Sequence, residues 1–303
     1  MDFMQEIITA VFCDVDDFCQ AFERYCQTHL LPKDMDNKGF FPKSSMALSE
    51  IMTIVILFHL SGYRTFKWYY QRYVCNNMRD CFPRLVSYNR FVELMGISLL
   101  PLTVYMMKYR VGKCTGISFI DSTTLDVCDN RRIYSHKVFD GAAQRGKSST
   151  GWFYGFKLHL IINDMGEILT FALTPANVDD RNTSLIEHLS KGLFGKLFGD
   201  KGYLSAKLFG QLFSKGITLF TKLKKNMKNV LMDLSDKILL RKRAVIESVN
   251  DFLKNVCQIE HSRHRSQLNF LVNLVSGLVA YSFLPNKPSL NIDRSDCNAI
   301  LYV

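Results

Sequence analysis

The stretch WFYGFKLHLIINDMGEILTFALT, residues 152–174, contains two runs rich in apolar and β-branched residues around a polar turn. The alternating pattern of side chains along residues 152–163 predicts a strand, and the pattern of residues 167–174 predicts a second one. The letters NDMG between them, residues 163–166, are typical of a tight turn. This part of the chain therefore predicts an antiparallel β-hairpin.

Shorter signals lie on both sides of the hairpin. Residues 117–120 predict a strand that ends at Asp121. After the hairpin, helices and strands alternate: helix 183–191, strand 197–198, helix 206–213, strand 217–222 and a long helix 236–256. Antiparallel strands followed by strands that alternate with helices indicate a mixed sheet with helices on both faces. The predicted class is α/β, in the sense of an α+β mixed sheet.

Residues 1–110 have apolar positions at helical spacing. Two helices, predicted at 48–59 and 65–74 around Ser61-Gly62, resemble a helix-turn-helix. The basic and aromatic residues interleaved there are Arg64, Lys67, Trp68, Tyr69, Tyr70, Arg72, Tyr73, Tyr88 and Arg90. They fit a DNA contact. They equally fit a small helical bundle with aromatic residues in its core and solvated bases.

Composition points to a polyanionic partner. The 303 residues are 48% apolar, enough for a sizeable core, and carry a net charge of +10. Residues 201–265 contain fourteen basic and five acidic residues, whereas residues 1–40 contain three and eight. Such a balance suits nucleic acid or an anionic membrane surface, and it also suits an ordinary basic enzyme.

The cysteines and the apolar runs bear on the cellular location that we expect for the chain. None of the nine cysteines forms a C-x-x-C, which excludes a zinc ribbon or a thioredoxin motif and favours reduced thiols in the cytoplasm. The N-terminus lacks the basic start of a signal peptide. The apolar runs 51–60 and 268–284 fall short of the roughly 20 residues of a membrane span. We expect both to be buried helices and expect no membrane partner.

Three acidic residues occupy positions suited to chemistry. Asp121 is in phase with Ile117 and Phe119, so its carboxylate shares an apolar face and is costly there unless paired or bound to a metal. Asp200 follows the strand at 197–198, between two glycines that would let a ligand approach the backbone. Glu247 lies on the last long helix.

That helix carries a stripe of alternating charge. Arg243, Glu247 and Lys254 fall on one face at 3.6 residues per turn. A solvated ion pair explains Arg243 and Glu247 by themselves. Together with Asp121 and Asp200, the stripe also suits phosphodiester chemistry, in which two Mg²⁺ ions held by carboxylates serve both ends of an in-line displacement.

Other residues compete for these roles. Asp126 and Asp129 follow Asp121 on the same segment and are its main rivals. We expect Asp164, Asp179 and Asp180 to serve turns or a helix start, and His136 and His159 to be structural or to face DNA. The basic run Lys222, Lys224, Lys225 and Lys228 is either a solvated face or a track for phosphates.

The motifs FIDST (119–123), GDKGY (199–203) and R-x-x-x-E-x-x-x-x-x-x-K (243–254) together resemble the DDE transposases of bacterial insertion sequences. GFKLH (155–159) adds to the likeness, which is strongest for the insertion-sequence family numbered nine-eighty-two and covers residues 40–290. One position departs: many relatives have Tyr where this chain has Leu240. The departure bears on handling of the DNA end and not on the carboxylates.

The resemblance implies an RNase H-like catalytic domain, with Asp121, Asp200 and Glu247 as the catalytic residues. They would bind two Mg²⁺ (or Mn²⁺) ions, with Asp121 shared between the two. The expected partner is double-stranded DNA, as terminal inverted repeats and target, held by a homodimer or larger complex near the nucleoid of a bacterial-type cell. We predict DNA contacts at Lys157, Lys201, Lys222, Lys224, Lys225, Arg243 and Lys254.

The predicted organisation has three parts. Residues 1–110 form a helical region that binds DNA ends, residues 111–257 the catalytic domain, and residues 258–303 a helix and tail. The predicted activity is cleavage at the element ends, followed by joining of the 3′-hydroxyl to target DNA. Two alternatives stay open: a silent DNA-binding protein derived from a transposase, and an RNase H-like nuclease that does not join strands.

Overall fold

A computed structural model of the chain describes residues 3–29, 44–148, 151–222, 232–261 and 264–290. Contacts between Cα atoms divide these residues into two compact units. The helical unit comprises the described residues up to 110 with 253–259 and 264–283, and the sheet unit comprises those of 111–252 with 260–261 and 284–290. The predicted C-terminal part, 258–303, is thus shared between the two units. A unit assembled from distant segments leaves no local sequence signal.

Within the described ranges the regular elements follow in chain order. The helices are α1 (Phe3–His29), α2 (Leu48–Leu60), α3 (Phe66–Trp68), α4 (Cys75–Asn77), α5 (Tyr88–Met95), α6 (Leu99–Tyr105), α7 (Thr183–Leu189), α8 (Ala206–Phe213), α9 (Leu234–Lys242), α10 (Ala244–Asn255) and α11 (Gln267–Phe283). The strands are β1 (Ile117–Cys128), β2 (Gln144–Ser148), β3 (Gly151–Asn163), β4 (Ile168–Pro175), β5 (Gly195–Gly199) and β6 (Ile217–Thr221). Tyr69–Val74 and Met106–Arg110 are π-helical, and Gly96–Ser98, Asn130–Ser135 and Lys201–Tyr203 are 3-10 turns.

Helix α2 lies in the middle of the helical unit, where α1, α5 and α11 contact it. Ten of its residues after Leu48 are buried, and α11 is buried along most of its length. Inside, the His59 ring contacts the Cys257 carbonyl oxygen and, at 2.9 Å from Nε2, the Ser276 hydroxyl. The two apolar runs are therefore buried helices, as the sequence predicts.

One longer helical run, Tyr88–Arg110, is long and apolar enough to cross a membrane by length and composition alone. It joins α5, α6 and the turns between and after them. Its side chains Phe91, Leu102 and Tyr105 are fully buried in the helical unit. A core helix of a globular protein passes the same test, so this run is weak evidence for a membrane span.

The segment predicted as a helix-turn-helix has that outline. Helix α2 ends at Leu60, Gly62 has φ +73°, and α3 begins after the N-cap Thr65 and continues into the π-helical Tyr69–Val74. Of its aromatic rings Tyr69 and Tyr70 are fully buried, whereas Trp68 is 59% exposed. The helical-bundle interpretation explains the two buried rings, and DNA binding by this segment stays a prediction.

The sheet unit is built on one mixed sheet. The strand order is β2-β3-β1-β5-β6, and β4 pairs with the second half of β3. Strand β3 is antiparallel to β1, β2 and β4, whereas β1, β5 and β6 are parallel. The β3–β4 hairpin closes at the predicted turn, where Gly166 has φ +74° and its N–H donates to the Asn163 carbonyl. The predicted mixed sheet is confirmed.

Helices cover both faces of this sheet. On one face Ile120, Leu197 and Ile217 form a core with side chains of α7 and α8. On the other face the rings of Phe119, Phe198 and Phe220 stack in sequence, with ring centroids 5.6 and 5.1 Å apart. Helix α9 meets this second face through an ion pair of 2.6 Å between Asp236 and Lys196 of β5.

Three element predictions differ from the structure. Strand β1 continues past Asp121 to Cys128, because its antiparallel pairing with β3 extends that far. Strand β2, with the sequence QRGKS, has no apolar residue to reveal it. The helix predicted at 236–256 is two helices that meet at Arg243. They separate because α9 packs against β5 and β6, whereas α10 reaches β1 through Asn250.

Candidate active site

Strand register brings Asp121 and Asp200 to neighbouring positions. Phe119 of β1 pairs with Phe198 of β5 in the parallel ladder. Two residues further on, β1 reaches Asp121 and β5 has just ended before Asp200. Because parallel strands advance together, the two carboxylates stand at the same edge of the parallel ladder.

The backbone around Asp200 fixes its side chain. Asp200 is the N-cap of the 3-10 turn Lys201–Tyr203 and accepts the Gly202 N–H at 2.7 Å. A Cβ on Gly202 would lie 2.8 Å from the Asp200 carboxylate, and one on Gly199 would lie 3.1 Å from Ile120. The protein itself fills the space beside both glycines, so close packing accounts for them, and the approach of a ligand to this backbone stays a prediction.

Asp121 is largely enclosed, with 19% of its side chain exposed. Its Oδ2 accepts a hydrogen bond of 3.1 Å from Asn250 Nδ2, and its Oδ1 lies 3.8 Å from Arg243 Nη1. Burial raises the pKa of Asp121 to about 6; Arg243 and the Ser122 N–H lower this pKa, and the charges of Asp200 and Glu247 raise it. Asp200 and Glu247 are therefore both close enough to Asp121 for their charges to act on it.

Arg243 is positioned between two of these carboxylates. It forms an ion pair with Glu247 through Nη2, as the i,i+4 spacing predicts, and faces Asp121 through Nη1. Only 13% of its side chain is exposed, whereas 56% of the Glu247 side chain is. Nη1 is buried without a hydrogen-bond acceptor among the described residues. The guanidinium compensates the negative charge of the cluster.

Asn250 is a site residue that sequence reasoning missed. It lies on α10 three residues after Glu247 and four before Lys254, which is itself half-buried. Helical spacing places Asn250 on the same face as Glu247 and Lys254, so the spacing of polar as well as charged residues predicts it as a site residue. Asn250 is buried, so its amide hydrogen bond to Asp121 holds both side chains in place.

The three carboxylates are a donor set of the kind that binds a divalent metal. Asp121, Asp200 and Glu247 offer only oxygen atoms, which Mg²⁺ and Mn²⁺ prefer. In the described part of the chain, no three His, Cys, Asp or Glu side chains are already grouped as ligands, and Glu247 is bound to Arg243. The residues fit a metal site in their chemistry, and they could act together as ligands only if Glu247 exchanges Arg243 for the metal.

A second polar cluster lies beside this site. Lys157 donates to the Val178 carbonyl at 2.9 Å and to Asp180 at 3.1 Å, so this predicted DNA contact has its ammonium in an internal ion pair. His159 is fully buried, bonds Thr174 at 2.9 Å and has its Nδ1 4.0 Å from Asp180. Burial, the largest effect, lowers the pKa of His159 to about 4.

Tyr203 connects the two clusters and was not singled out by the sequence, although it ends the GDKGY motif. The side chain is buried next to Gly199. Burial raises the pKa of Tyr203 well above its ordinary value, and the charges of Asp180, Asp121 and Asp200 raise it further. The phenol therefore stays protonated beside the carboxylates.

The remaining predicted residues are spread over the sheet unit and α10. Lys201 and Lys222 are exposed, and Lys224 and Lys225 lie outside the described residues. The rivals of Asp121 have other environments. Asp126 lies five residues further along β1, on the opposite side of the strand by alternation. Asp129 caps the 3-10 turn Asn130–Ser135.

Comparisons with known proteins bear on the family of this chain. No curated protein sequence matches the chain. One solved structure similar to it is the cryo-EM structure of a piggyBac transposase synaptic complex with hairpin DNA, at 11% identity and a TM-score of 0.47. That match covers 90% of this chain and 72% of the other.

The sequence model described as the transposase DDE domain matches residues 111–267, just over half of the chain. The matched segment contains Asp121, Asp200 and Glu247 with the strands and helix that carry them. The chain therefore belongs to the transposases with a DDE domain.

Proposed function

We propose that this chain is the transposase of an insertion sequence, which cleaves DNA at the ends of its own element and joins the freed 3′-hydroxyl to target DNA. The observation that carries the proposal is the convergence of Asp121, Asp200 and Glu247 from two adjacent strands and one helix. Burial is the main cause of the raised pKa of Asp121, and the charges of Asp200 and Glu247 raise this pKa further. A cluster of this kind suits a divalent metal better than it suits any fold-stabilising role.

Asp121, Asp200 and Glu247 would hold two Mg²⁺ or Mn²⁺ ions, with Asp121 shared. When bound, such ions stabilise the attacking and leaving oxygens of an in-line displacement at phosphorus. Asn250 orients Asp121 through its amide. Arg243 balances the carboxylates in the absence of metal and is then placed to pair with a phosphate of the DNA backbone.

The fold supports an RNase H-like assignment of the sheet unit. Its hairpin strands β3 and β4 lie on one side of β1, and the parallel strands β5 and β6 on the other, with helices on both faces. This arrangement places the end of β5 beside Asp121. The proposal follows from that topology together with the sequence motifs.

The proposed partners are terminal inverted repeats and target DNA. The net charge of +10 and the basic residues at 201–265 support a polyanionic partner. Because two element ends must be joined in one event, we propose that a homodimer or larger complex acts, in the cytoplasm at the nucleoid of a bacterial-type cell. The helical unit would bind the element ends, and the family numbered nine-eighty-two is the proposed subgroup.

A cleavage assay tests the function. The purified chain is incubated with labelled duplexes that span the flanks of its own gene, in Mg²⁺, in Mn²⁺ and in EDTA. We expect metal-dependent nicks at discrete positions and joined products when target DNA is added. Asp200→Ala should abolish both, and Asp129→Asn, which changes an exposed capping carboxylate, should retain both.

Three outcomes separate the alternatives. Binding without nicks in every metal would overturn the proposal in favour of a silent DNA-binding protein. Nicks without joined products would leave a nuclease. Nicks that persist in Asp200→Ala would show that another site cuts the DNA.

A further inference from the structure

An exposed tryptophan and two cations form a cluster at the edge of the sheet, which we name the hairpin Trp cluster: Arg145, Lys147 and Trp152. Strand β2 pairs with the start of β3, with Lys147 opposite Trp152 and Arg145 opposite Tyr154. Directly paired residues share one face of a sheet, so the three side chains are on the same side. The Arg145 guanidinium lies 5.3 Å and the Lys147 ammonium 5.8 Å from the centre of the indole.

Folding alone does not account for this cluster. Trp152 is 54% exposed, and it lies beside two cations instead of packing into the core. Arg145 and Lys147 are both exposed, and neither forms an ion pair with any residue that the structure describes. Lys157 differs, since Asp180 already binds it. The cluster is thus a solvated aromatic surface with two uncompensated positive charges.

A groove of about 430 Å³ opens beside the indole. Besides the cluster, its lining includes Lys157 and the carboxylates Asp179 and Asp180. These carboxylates are already paired, Asp179 with Arg181 at 2.7 Å and Asp180 with Lys157 at 3.1 Å. An anion approaching Arg145 and Lys147 therefore meets neutralised acids, and the groove has room for a flat ring against the indole.

The cluster and the carboxylate site share one face of the sheet. Along β3, Trp152 has the same parity as Leu160, and Leu160 pairs directly with Asp121. Side chains alternate in a strand, so Trp152 and Asp121 lie on the same side. Eight residues of β3 separate the two positions, which is about 27 Å at the rise of an antiparallel strand. A strand of DNA leaving the carboxylates can span this distance.

We propose that Arg145, Lys147 and Trp152 bind an unpaired segment of the DNA strand that enters the carboxylate site, with Trp152 stacked on a base and the two cations on neighbouring phosphates. The inference rests on the proposed function and adds the form of the substrate. An unpaired segment is required, because the faces of bases in a duplex are already stacked on one another. Aromatic stacking combined with cations on the backbone is how proteins bind single strands.

The first experiment uses the intrinsic fluorescence of the cluster. The chain has two tryptophans, so Trp68→Phe leaves Trp152 as the single indole fluorophore. This variant is titrated with an oligothymidylate of about ten nucleotides, a length within the range of known single-strand sites, and with a blunt duplex of equal length. We expect the oligothymidylate to quench Trp152 and to bind it more tightly than the duplex does.

The second experiment measures oligothymidylate affinity in variants of the otherwise unchanged chain. Trp152→Ala should weaken binding by roughly 5- to 100-fold, as loss of a stacked base does. Trp152→Phe should restore most of the affinity. Phe213→Ala, which removes an aromatic side chain that is 63% exposed on α8, is the matched control and should leave binding unchanged.

The contribution of the Arg145 and Lys147 charges is measured by the salt dependence of binding. Changing Arg145 and Lys147 to Gln together should reduce the slope of log affinity against log salt by about 1.4, which corresponds to two lost contacts with single-strand phosphates. A stability measurement on each variant separates lost binding from lost folding. Because the three side chains are exposed, we expect each variant to unfold at the same urea concentration as the unmodified chain.

Three results would overturn the inference. These are no quenching of Trp152 by the oligothymidylate, tighter binding of the blunt duplex with equal quenching, and unchanged affinity in Trp152→Ala. If the unmodified chain still nicks its own flanks in Mg²⁺, such a result removes this inference and leaves the proposed function standing. If the chain neither nicks nor binds any DNA, both are wrong.

Discussion

Arg243 is the side chain on which the charge balance of the carboxylate cluster depends. It is paired with Glu247, lies 3.8 Å from Asp121 and is largely buried. Among the effects that lower the pKa of Asp121, the charge of Arg243 is the largest. Its removal would leave the repulsion among the carboxylates, together with the cost of burying Asp121, without that compensation.

We therefore predict that Arg243→Gln lowers the free energy of unfolding by about 1–3 kcal/mol at neutral pH without added metal. Urea unfolding followed by circular dichroism measures the change. Arg241→Gln, which removes an exposed cation two residues away, is the control and should cost less than about 0.5 kcal/mol. Equal effects of the two changes would contradict the role given to Arg243.

Protonation of His159 makes the free energy of unfolding depend on pH. Its ordinary pKa of 6.5 is lowered to about 4, first by burial and then by Lys157, against the opposing charge of Asp180. The unfolded chain therefore takes up this proton near pH 6.5, and the folded chain only near pH 4. The stabilising contribution is complete above pH 6.5 and is lost as the pH falls from 6.5 to 4.

The expected loss over that pH range is about 3 kcal/mol from this one group. The unfolding free energy measured at intervals between pH 7 and pH 4 gives the slope. His159→Gln has no proton to gain here, so its curve should be flatter than that of the unmodified chain. Parallel curves would show that other groups cause the acid sensitivity.

What the sequence reveals about the site depends on distance along the chain. The Arg243–Glu247 ion pair is an i,i+4 contact and is predictable from helical spacing alone. The partner of Lys157 is Asp180, 23 residues away on another segment, and the sequence instead suggests a DNA contact for that lysine. Asn250 was missed because a neutral amide gives no signal in a search for charges.

At the scale of elements, the junction between β5 and the turn after it sets the position of Asp200. A Cβ on Gly199 would lie 3.1 Å from Ile120 and 3.2 Å from Tyr203, both of them buried. Gly210 of α8 has nothing within 4 Å of the corresponding point. The same Gly→Ala change should therefore have opposite effects at the two positions.

We predict that Gly199→Ala lowers the unfolding free energy by about 1–2 kcal/mol, because a buried neighbour must move. Gly210→Ala should raise it by about 0.5–1 kcal/mol, since alanine favours a helix interior. Thermal unfolding of the two variants beside the unmodified chain tests the pair. Stabilisation by Gly199→Ala would mean that the junction is looser than described.

Elements that carry an apolar pattern are predictable from sequence, and those defined by tertiary packing are not. The β3–β4 hairpin is predictable because apolar and polar residues alternate in its strands and its turn is polar. Strand β2 reads QRGKS and is ordered by its pairing with β3. No Pro or Gly marks the break at Arg243 in the sequence. The helix is interrupted there because α9 and α10 dock on different strands.

At the scale of the whole molecule, the net charge is positive and the candidate catalytic centre is negative. The chain as a whole carries +10, which attracts DNA, whereas the candidate catalytic centre is a cluster of carboxylates. Long-range attraction depends on the total charge distribution, and the chemistry depends on a few oxygen atoms. A substitution that keeps the shape of one carboxylate and removes its charge should therefore separate the two.

Glu247→Gln is that substitution, and we predict that it retains duplex binding and loses metal-dependent nicking by roughly 100-fold or more, as expected when a metal ligand is removed. It raises the net charge by one, which opposes any loss of affinity. Asp129→Asn makes the same change of charge away from the cluster and should retain both binding and nicking. Gel shifts and nicking of the same labelled duplex measure the two properties. Full nicking activity in Glu247→Gln would remove this residue from the catalytic centre. Loss of duplex binding in both variants would show that the net charge, and not the chemistry of the site, governs the interaction with DNA.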